Sequence, residues 1–530
     1  MKKIEILDTT LRDGAQSEGI SFSLRDKLNI IERLSRFGVD FIEAGNPASN
    51  PKDIEVFEKA KLLNLGHSQL VAFGSTSRKD NSPETDNGIN ALLAAGTKFV
   101  SVFGKSHASQ VGSVLRVTLD ENLSMIRRTI EHLKGRGREV IFDAEHFFDG
   151  YKSDKEYALS VLKTAKKAGA INLILCDTNG GCFPDEITEI TKAVTRCLSP
   201  SNCDIIGIHC HDDTGCAVAN TIAAVKSSAT HVQGTFIGIG ERCGNANLSA
   251  VIPNLQLKLG YLCVEPKNME GITETARFIG EVANVRLPRN MPYVGGAAFS
   301  HKGGMHIDGV MKSPESFEHI PPEKVGNERN LLLSEMSGRG TLLQKLNAIG
   351  RNLTIMKNDP IVEKLTNRVK ELEHKGYQFE AADASFELLV LQEMGLFKPH
   401  FKILEYNIVS SLSKACKAKV RISAGEYTEE TEASGNGPVN ALDMALRKAL
   451  EVFYPELSAV KLSDYKVRII NGDDNTAAIT RVLMESGFYS GGNSGTTWTT
   501  VGAGDNIISA SMVALVDSLE YALQKFHNFL

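Results

Sequence analysis

The chain has 530 residues, of which 42% are hydrophobic and 23% charged, a composition typical of globular proteins that excludes disordered and collagen-like chains. Its formal net charge is −5 with both signs interspersed, so the basic surface of a nucleic-acid-binding protein is not expected. The 9 cysteines form no Cys-x-x-Cys pair, and no apolar run approaches the roughly 18 residues of a membrane span. We expect a cytoplasmic protein without disulfides, with neither nucleic acid nor membrane as a partner.

The first half of the chain alternates strand-like and helix-like patterns. Residues 24–37 and 157–168 repeat apolar side chains every three or four positions, which predicts helices. Eight β-rich runs are separated by gaps long enough for a helix, at residues 4–10, 41–45, 69–74, 99–104, 139–146, 171–178, 205–212 and 231–240. Eight strands within roughly 250 residues predict a (β/α)8 TIM barrel of the α/β class. A doubly wound open sheet would show the same alternation.

Polar residues at the ends of these runs favour the barrel. The runs begin apolar and end in Asp, Glu, His or Arg, as in ILDTTLRD, FIEAGNP, FDAEH, LILCDTNGG, IGIHCHDD and FIGIGERCGN. Loops that only connect elements are richer in Ser, Asn and Gly. In a TIM barrel the active site forms at the carboxyl ends of the strands, so the sequence predicts an active site there.

The regular alternation ends near residue 288, and three domains are predicted. A TIM-barrel catalytic domain covers 1–285, helical connector subdomains cover 286–398, and a C-terminal α+β domain covers 399–530. In the connector, an amphipathic helix is expected to begin near Asp359 and Pro360. The C-terminal domain shows two successive groups of three strand-like runs and a helix, at 403–410, 418–423, 426–434 and 439–453, then 465–471, 476–485, 496–502 and 508–522. This repetition indicates internal pseudo-symmetry.

A metal site is predicted from the seventh strand. His209 and His211 are two positions apart and therefore share a face of the strand. Two imidazoles on one face can bind a metal, although a pair of hydrogen-bonded core histidines would have the same spacing. Asp13 follows the first strand, which a closed barrel brings near the seventh, and Asn245 follows the eighth. This donor set suits an open catalytic site for Mg, Mn or Zn.

Three further residues are candidates for binding substrate or moving protons. Arg12, beside Asp13, is suited to hold a carboxylate or an enolate oxygen; the alternative is a solvated loop arginine. Glu145, at the end of the fifth strand, is a candidate general base or one half of an ordinary ion pair. Thr178, after the sixth strand, can donate to a substrate carboxylate or cap the next helix.

The motifs GERCGN and KGGMHIDG hold the remaining candidates. Glu241 and Arg242 are expected to pair with each other or to bridge neighbouring strands. We interpret Cys243 as a buried structural thiol and not as a nucleophile, because no histidine stands at a recognisable partner spacing. His306 lies outside the barrel in a Gly-rich loop, where a surface histidine is the default expectation.

Five motifs in chain order resemble those of the family of 2-isopropylmalate, homocitrate and citramalate synthases: LDTTLRDGAQ, IHCHDDTG, GIGERCGNANL, FSHKGGMHIDG and WTTVGAGDNIISASMVALVDSLEY. The resemblance implies an acyltransferase that condenses acetyl-CoA with a 2-oxo acid in a Claisen-type reaction and releases CoA. VFGKSH, DAEHFFDGYK and VGNERNLLLSEMSGRGTL are most similar to the citramalate synthase branch, which implies pyruvate as acceptor and a place in isoleucine biosynthesis. The nearest alternative acceptor is 2-oxoisovalerate, on the route to leucine. An acyl-CoA lyase and an amino-acid sensor are alternatives of other classes.

The resemblance also implies roles for individual residues. Carried over by position, the metal ligands are Asp13, His209 and His211, with Asn245 completing or supporting the site. The resemblance also implies that Arg12 stabilises the developing oxyanion, and the charge of Arg12 beside the metal site is consistent with this role.

The resemblance also implies which residues contact the substrate and which residue acts across a dimer. Glu145 and Thr178 match substrate-site positions, and His306 matches a histidine that the partner subunit of a homodimer supplies. The C-terminal domain matches a regulatory domain that binds an end-product amino acid, here isoleucine. Phe317 stands where many members have a tyrosine, which removes an assisting hydroxyl. Asp143 occupies a position that varies with acceptor size; it would disfavour a bulky acceptor or turn away.

Overall fold

The computed structural model describes residues 1–198, 206–331, 359–379, 382–411, 414–470, 478–490 and 493–527. Some predicted features lie partly outside these ranges. They include residue 205, residues 471–477 and the larger part of VGNERNLLLSEMSGRGTL. The chain divides into two compact units. One comprises Met1–Phe299 and Ile320–Arg329, and the other Ser300–His319 and Asn330–Leu530.

The first unit contains a closed barrel of eight parallel strands in chain order, with the eighth paired to the first. The strands are β1 (Glu5–Asp8), β2 (Phe41–Gly45), β3 (Gln69–Ser75), β4 (Phe99–Lys105), β5 (Glu139–Glu145), β6 (Asn172–Asp177), β7 (Ile206–Cys210) and β8 (His231–Gly234). Closure confirms the predicted TIM barrel and excludes an open doubly wound sheet.

The eighth strand is shorter than predicted. It was expected to reach Gly240, but it ends at Gly234. The chain turns there because the Thr235 hydroxyl donates to the Ile239 carbonyl (2.6 Å) and the Thr235 amide donates to the Ala246 carbonyl (3.2 Å). The segment after β8 is therefore a loop that returns towards the barrel, which decides where its polar residues lie.

Helices surround the barrel. Their bounds are α1 (Leu24–Phe37), α2 (Pro51–Ala60), α3 (Asn87–Ala95), α4 (Ala108–Gln110), α5 (Leu119–Gly135), α6 (Phe147–Ser153), α7 (Lys155–Ala168), α8 (Pro184–Leu198), α9 (Ala217–Lys226), α10 (Leu248–Pro253) and α11 (Ile272–Val282). Single turns of 3-10 or π helix occur at Gly14–Gln16, Val111–Leu115, Asn254–Lys258, Pro266–Gly271 and Pro322–Val325. The predicted bounds of α1 are confirmed: Ser23 and Asp26 form a capping box at its start, and Gly38, at φ 95°, ends it.

The second unit begins with short elements. These are β9 (Ser300–His301), α12 (Gly304–Lys312), a 3-10 turn (Pro314–Ser316), β10 (Asn330–Leu331), α13 (Pro360–His374) and α14 (Asp383–Glu393). The connector helix begins where predicted, and Asp359 caps it by accepting from the Ile361 amide. In α14, Ala384 and Leu388 are buried in the core of the C-terminal sheets. The domain limits at 285 and 398 stay predictions.

The C-terminal part repeats one arrangement twice. Two three-stranded antiparallel sheets are each followed by a helix. The first group is β11 (Lys402–Ser411), β12 (Lys414–Ala424), β13 (Tyr427–Gly435) and α15 (Pro438–Leu450); the second, after a 3-10 turn at Pro455–Ala459, is β14 (Val460–Ile469), β15 (Thr480–Ser490), β16 (Asn493–Gly504) and α16 (Ile507–Phe526). This confirms the predicted α+β domain. Leu446 of α15 and Leu519 of α16 belong to its shared core.

Helix α16 is strongly apolar, contrary to the expectation that no apolar run approaches the length of a membrane span. Among the helices that the structure describes, it alone is long and apolar enough to meet the criterion for a membrane span, yet 67% of its apolar window is buried. Ala514, Leu519 and Leu523 pack in the core of the C-terminal sheets. The apolar composition of α16 is therefore explained by packing within this domain.

Candidate active site

A cavity of about 400 Å³ lies at the carboxyl ends of the barrel strands. All predicted site residues except Asn245 and His306 line it. The lining residues are Arg12, Asp13, Gln16, Asn46, Ser49, Phe73, Phe103, Asp143, Glu145, Cys176, Thr178, His209, His211 and Glu241. The cavity lies where a TIM barrel carries its active site.

The alternation of side chains along the strands explains how these residues come together. Leu7, Val71, Ile141 and Ile174 form an apolar cluster inside the barrel. Residues two positions further along a strand point the same way. On β5 the inward face therefore passes from Ile141 to Asp143 and Glu145, and the polar residues gather at the carboxyl end of the barrel.

Asp13, His209 and His211 form a compact cluster of metal-binding groups. Their ligand atoms all lie within 4.8 Å of one another, and all three side chains are buried. Asp13 Oδ2 lies 3.4 Å from His209 Nε2 and 3.8 Å from His211 Nε2, and the two Nε2 atoms are 3.4 Å apart. A buried carboxylate and two imidazoles at these distances can hold a divalent cation.

Unpartnered buried atoms also fit a cation here. Asp13 Oδ1 and both amide atoms of the Asn245 side chain are buried and lack a hydrogen-bond partner within the described ranges. Buried polar atoms normally have partners, and a metal ion is one kind that fits carboxylate and amide oxygens. Burial, together with the charge of His209, lowers the pKa of His211 to about 4, so this imidazole is neutral near pH 7, as metal binding requires.

The loop after β8 brings Asn245 beside His211. The Ala246 amide donates to the Cys210 carbonyl (2.9 Å), and Asn245 and His211 form an isolated β-bridge. Gly244 makes this path possible: its φ is +92°, and a Cβ there would overlap the Gly238 carbonyl oxygen. Asn245 therefore lies near the histidines, as predicted, because the loop after β8 turns back towards β7.

Arg12 is held on three sides. Its Nε donates to Glu43 Oε2 (2.6 Å), its Nη1 donates to Asp13 Oδ2 (2.9 Å), and its guanidinium carbon lies 3.9 Å from the Phe73 ring centroid. Burial by itself raises the pKa of Asp13, but Arg12 and His209 outweigh it and keep this pKa well below its usual range. Arg12 is therefore fixed at the cluster, unlike a solvated loop arginine.

Asp143 is bonded through both carboxylate oxygens. Oδ2 accepts from the Ser101 hydroxyl (2.8 Å) and Oδ1 from the Gln233 amide (3.0 Å). On its other side, Gln233 Oε1 lies 2.9 Å from His209 Nδ1. Asp143 therefore lines the cavity while its oxygens are engaged within the barrel, and its effect on acceptor size stays a prediction.

Glu145 and Thr178 both line the cavity and have protein partners. Glu145 Oε2 lies 2.7 Å from Lys105 Nζ, so the carboxylate has the ion pair that was one of its two predicted states. The Thr178 hydroxyl oxygen accepts from the His146 amide (2.8 Å) instead of capping a helix. Its own proton remains available for donation.

Arg242, Cys243 and His306 lie outside the cluster. Arg242 donates to both carboxylate oxygens of Asp213 (2.8 and 2.9 Å), whereas Glu241 Oε2 lies 3.9 Å from Arg242 Nη1. Asp213 follows β7 and Arg242 follows β8, so the second expected state, a bridge between neighbouring strands, is the one that forms. Cys243 is exposed, which corrects the prediction of a buried thiol: it sits in a surface turn of the returning loop. His306 belongs to the other unit, stacked on Phe317 with ring centroids 4.5 Å apart, and its role stays a prediction.

Sequence reasoning did not select Glu43 or Gln233. Glu43 lies in the fully buried strand β2, and Gln233 in the fully buried strand β8. Each is two positions after an inward-facing residue, Phe41 or His231. A polar residue at an inward position of a buried strand was the available signal.

Comparison with known proteins supports these observations. Residues 3–279 match the HMGL-like family, residues 293–377 the homocitrate synthase post-HMGL domain-like family, and residues 380–523 the LeuA allosteric (dimerisation) domain. An (R)-citramalate synthase of Aquifex aeolicus is 49% identical, covering 99% of this chain and 98% of that protein. The (R)-citramalate synthase of Synechocystis sp. is 46% identical, covering 98% and 96%. The 2-isopropylmalate synthase of Pyrococcus furiosus is 31% identical, covering 98% and 99%. The chain belongs to the HMGL-like family, within its group of citramalate and 2-isopropylmalate synthases.

Proposed function

We propose that this chain is an acyltransferase that condenses acetyl-CoA with pyruvate to form (R)-citramalate and CoA. The observation that carries the chemistry is the buried cluster of Asp13, His209 and His211, with Arg12 ion-paired to Asp13. The observation that selects pyruvate is similarity: five proteins named (R)-citramalate synthase are 42–49% identical over nearly the whole chain.

The cluster is the proposed binding site for a divalent cation, which is Mg, Mn or Zn. Asp13, His209 and His211 are the proposed ligands, and Asn245 supports the site. A cation bound there supplies a Lewis acid for the keto and carboxylate oxygens of the acceptor. These groups are buried, which strengthens their electrostatic interactions.

The chain's own residues have the following proposed roles. Glu145 accepts the α-proton of acetyl-CoA, and Lys105 Nζ lies 2.7 Å from its Oε2. The enolate carbon forms a bond to the keto carbon of pyruvate, whose carbonyl electron pair moves to oxygen. Arg12 stabilises that oxyanion, and Thr178 donates to the acceptor carboxylate. The oxyanion then takes up the proton that Glu145 removed, which forms the hydroxyl of citramalate and restores the carboxylate. Water adds its hydroxyl to the thioester carbon as the carbon–sulfur bond breaks, and its proton goes to the departing CoA sulfur.

The regulatory and cellular assignments belong to the same proposal. The reaction serves isoleucine biosynthesis in the cytoplasm, and isoleucine is the amino-acid effector that binds the C-terminal domain and inhibits turnover. The LeuA allosteric (dimerisation) match over residues 380–523 supports a homodimer. In that dimer, the partner subunit's His306 assists catalysis at the barrel.

The test is CoA release, followed with a thiol reagent, from acetyl-CoA and a divalent metal. The acceptors are pyruvate, 2-oxobutyrate, 2-oxoisovalerate, 2-oxoglutarate and glyoxylate. Preference for pyruvate, with inhibition by isoleucine, is expected. Preference for 2-oxoisovalerate would move the enzyme to leucine synthesis, and no release with any acceptor would favour a lyase or a sensor.

A further inference from the structure

A chain of hydrogen bonds crosses the interior of the barrel behind the proposed metal ligands. It runs from Ser101 on β4 through Asp143 on β5 and Gln233 on β8 to His209 on β7, with distances of 2.8, 3.0 and 2.9 Å. All four residues are at least 95% buried. Burial to this degree limits competition from water, so the protein groups set the directions of these bonds.

The directions follow from the chemistry of each group. The Asp143 carboxylate accepts from the Ser101 hydroxyl and from the Gln233 NH2 group. The amide of Gln233 must then turn its carbonyl oxygen towards His209 Nδ1. A carbonyl oxygen only accepts, so His209 carries its proton on Nδ1, and in the neutral imidazole Nε2 keeps a lone pair.

Nε2, the ring nitrogen left for a metal ion, faces the metal cluster. His209 Nε2 lies 3.4 Å from Asp13 Oδ2 and 3.4 Å from His211 Nε2. His211 lacks such an arrangement, because its Nδ1 is buried without a hydrogen-bond partner in the described part of the chain. The two histidines therefore differ: one has its ring orientation and tautomer determined by neighbours, and the other does not.

From this geometry we propose that Gln233 is a positioning residue, which holds His209 in the Nδ1-protonated tautomer and is itself oriented by Asp143. The proposal rests on the metal-dependent reaction proposed above and adds two residues that prepare its metal site. It also gives Asp143 a role independent of acceptor size. Groups behind a metal ligand fix its ring and raise its basicity, and their loss commonly lowers metal affinity about 10- to 100-fold.

Exchange of the carboxylate and the amide provides a sharp test. In Gln233→Glu, two carboxylates face each other across a 3.0 Å contact, and in Asp143→Asn the oriented amide loses its acceptor. The double variant Gln233→Glu/Asp143→Asn restores one carboxylate and one amide with the order reversed, so a carboxylate now accepts from His209 Nδ1 where the amide oxygen accepts in the wild type. We expect each single variant to bind Mn²⁺ about 10- to 100-fold more weakly, and the double variant to recover most of that loss.

A matched control exists in the same barrel. Asn172 Nδ2 lies 2.9 Å from His231 Nδ1, a second buried amide–imidazole pair, at the amino ends of the strands. Asn172→Asp makes a similar amide-to-carboxylate change away from the cluster. We expect it to affect stability but not Mn²⁺ affinity.

The measurements use metal-free, full-length protein without substrates, so a failure of the proposed reaction leaves them interpretable. Calorimetry gives the Mn²⁺ affinity, and ¹H–¹⁵N spectra of histidine-labelled protein give the His209 tautomer, assigned with His209→Gln. The expected result is an Nδ1-protonated ring in the wild type and in the double variant. Wild-type affinity in both single variants, no recovery in the double variant, or a neutral His209 ring protonated on Nε2 alone in the wild type would each overturn the proposal. If a single variant does not fold, the tautomer and the double variant decide.

Discussion

The Nε atom of Arg12 lies 2.6 Å from Oε2 of Glu43, a carboxyl that is fully buried on β2. Burial raises the pKa of Glu43 to about 7, although the Arg12 charge opposes this shift. The buried environment is therefore unfavourable for the ionised form of Glu43. The partner of Glu43 is the Arg12 guanidinium, which lies beside the metal cluster. Burial of this carboxyl lowers the stability of the fold, but the contact holds Arg12 in the orientation that the proposed reaction requires.

Replacement of Glu43 by glutamine tests this relationship. The amide oxygen can still accept from Arg12 Nε, but the charge is lost and the guanidinium is held less firmly. We expect kcat/KM for CoA release to fall about 10- to 100-fold, with a smaller change in metal affinity. Glu5→Gln is the control, because Glu5 bonds His231 at the other end of the barrel. Equal effects of the two substitutions would contradict a specific role for Glu43.

Loss of one imidazole should remove the metal. In His211→Ala we expect Mn²⁺ affinity to fall by at least about 100-fold, since a lost ligand costs more than a lost supporting group, and turnover to be abolished. Circular dichroism should show a retained fold. Chelation of the wild type should abolish activity, and added metal should restore it.

The exposed thiol of the returning loop supplies the control for this experiment. Cys243 is exposed, so Cys243→Ser should keep activity within about twofold, as for other surface substitutions. Near-normal turnover in His211→Ala would reject the metal assignment. A large loss in Cys243→Ser would instead reopen the nucleophile interpretation.

Glu145 and Lys105 form an ion pair in the cavity wall, and their substitutions should differ. If Glu145 accepts the α-proton, Glu145→Gln lowers kcat about 10²- to 10⁴-fold. Lys105→Met leaves the carboxylate in place and should cost less. The measurement is kcat at saturating acetyl-CoA and pyruvate. Equal losses in the two variants would mean that the pair acts as a structural unit and not through a base.

A pH effect is expected in the C-terminal domain. Burial raises the pKa of Asp517 to about 7, and the carboxyl accepts from the Ser385 hydroxyl (2.7 Å). Between about pH 4 and pH 7, Asp517 is protonated in the folded state and ionised in the unfolded state. The contribution of Asp517 to the free energy of unfolding is therefore largest at low pH. It declines as the pH rises from about 4 to about 7, by at most about 4 kcal/mol. Asp517→Asn should remove this dependence.

The only tryptophan of the chain makes the effect measurable. Trp498 donates to the Ser518 hydroxyl oxygen on α16 (3.1 Å), so its fluorescence follows unfolding of this domain. Urea unfolding at pH 5 and pH 8 should show that Asp517→Asn gains stability relative to wild type at the higher pH. Exposed Asp505→Asn is the matched control. A wild-type pH dependence in Asp517→Asn would refute the assignment.

Much of the architecture was determined by the sequence itself. The spacing of eight β-rich runs predicted the barrel, and repeated groups of three strands and a helix predicted the C-terminal domain. These features depend on local periodicity, which a chain carries wherever it folds. The pairing of His209 with His211 was predictable for the same reason, because side chains two apart on a strand share a face.

Only the tertiary structure decided what surrounds those residues. Glu43 meets Arg12 across 31 positions of sequence, and Gln233 meets Asp143 across 90. Asn245 reaches His211 because β8 ends early and the following loop turns back, with Gly244 in a conformation that other residues rarely adopt. Such contacts depend on barrel closure and on burial, which set both the partner and the strength of each bond. Local sequence patterns do not specify the partner of a side chain or the degree to which the contact is buried.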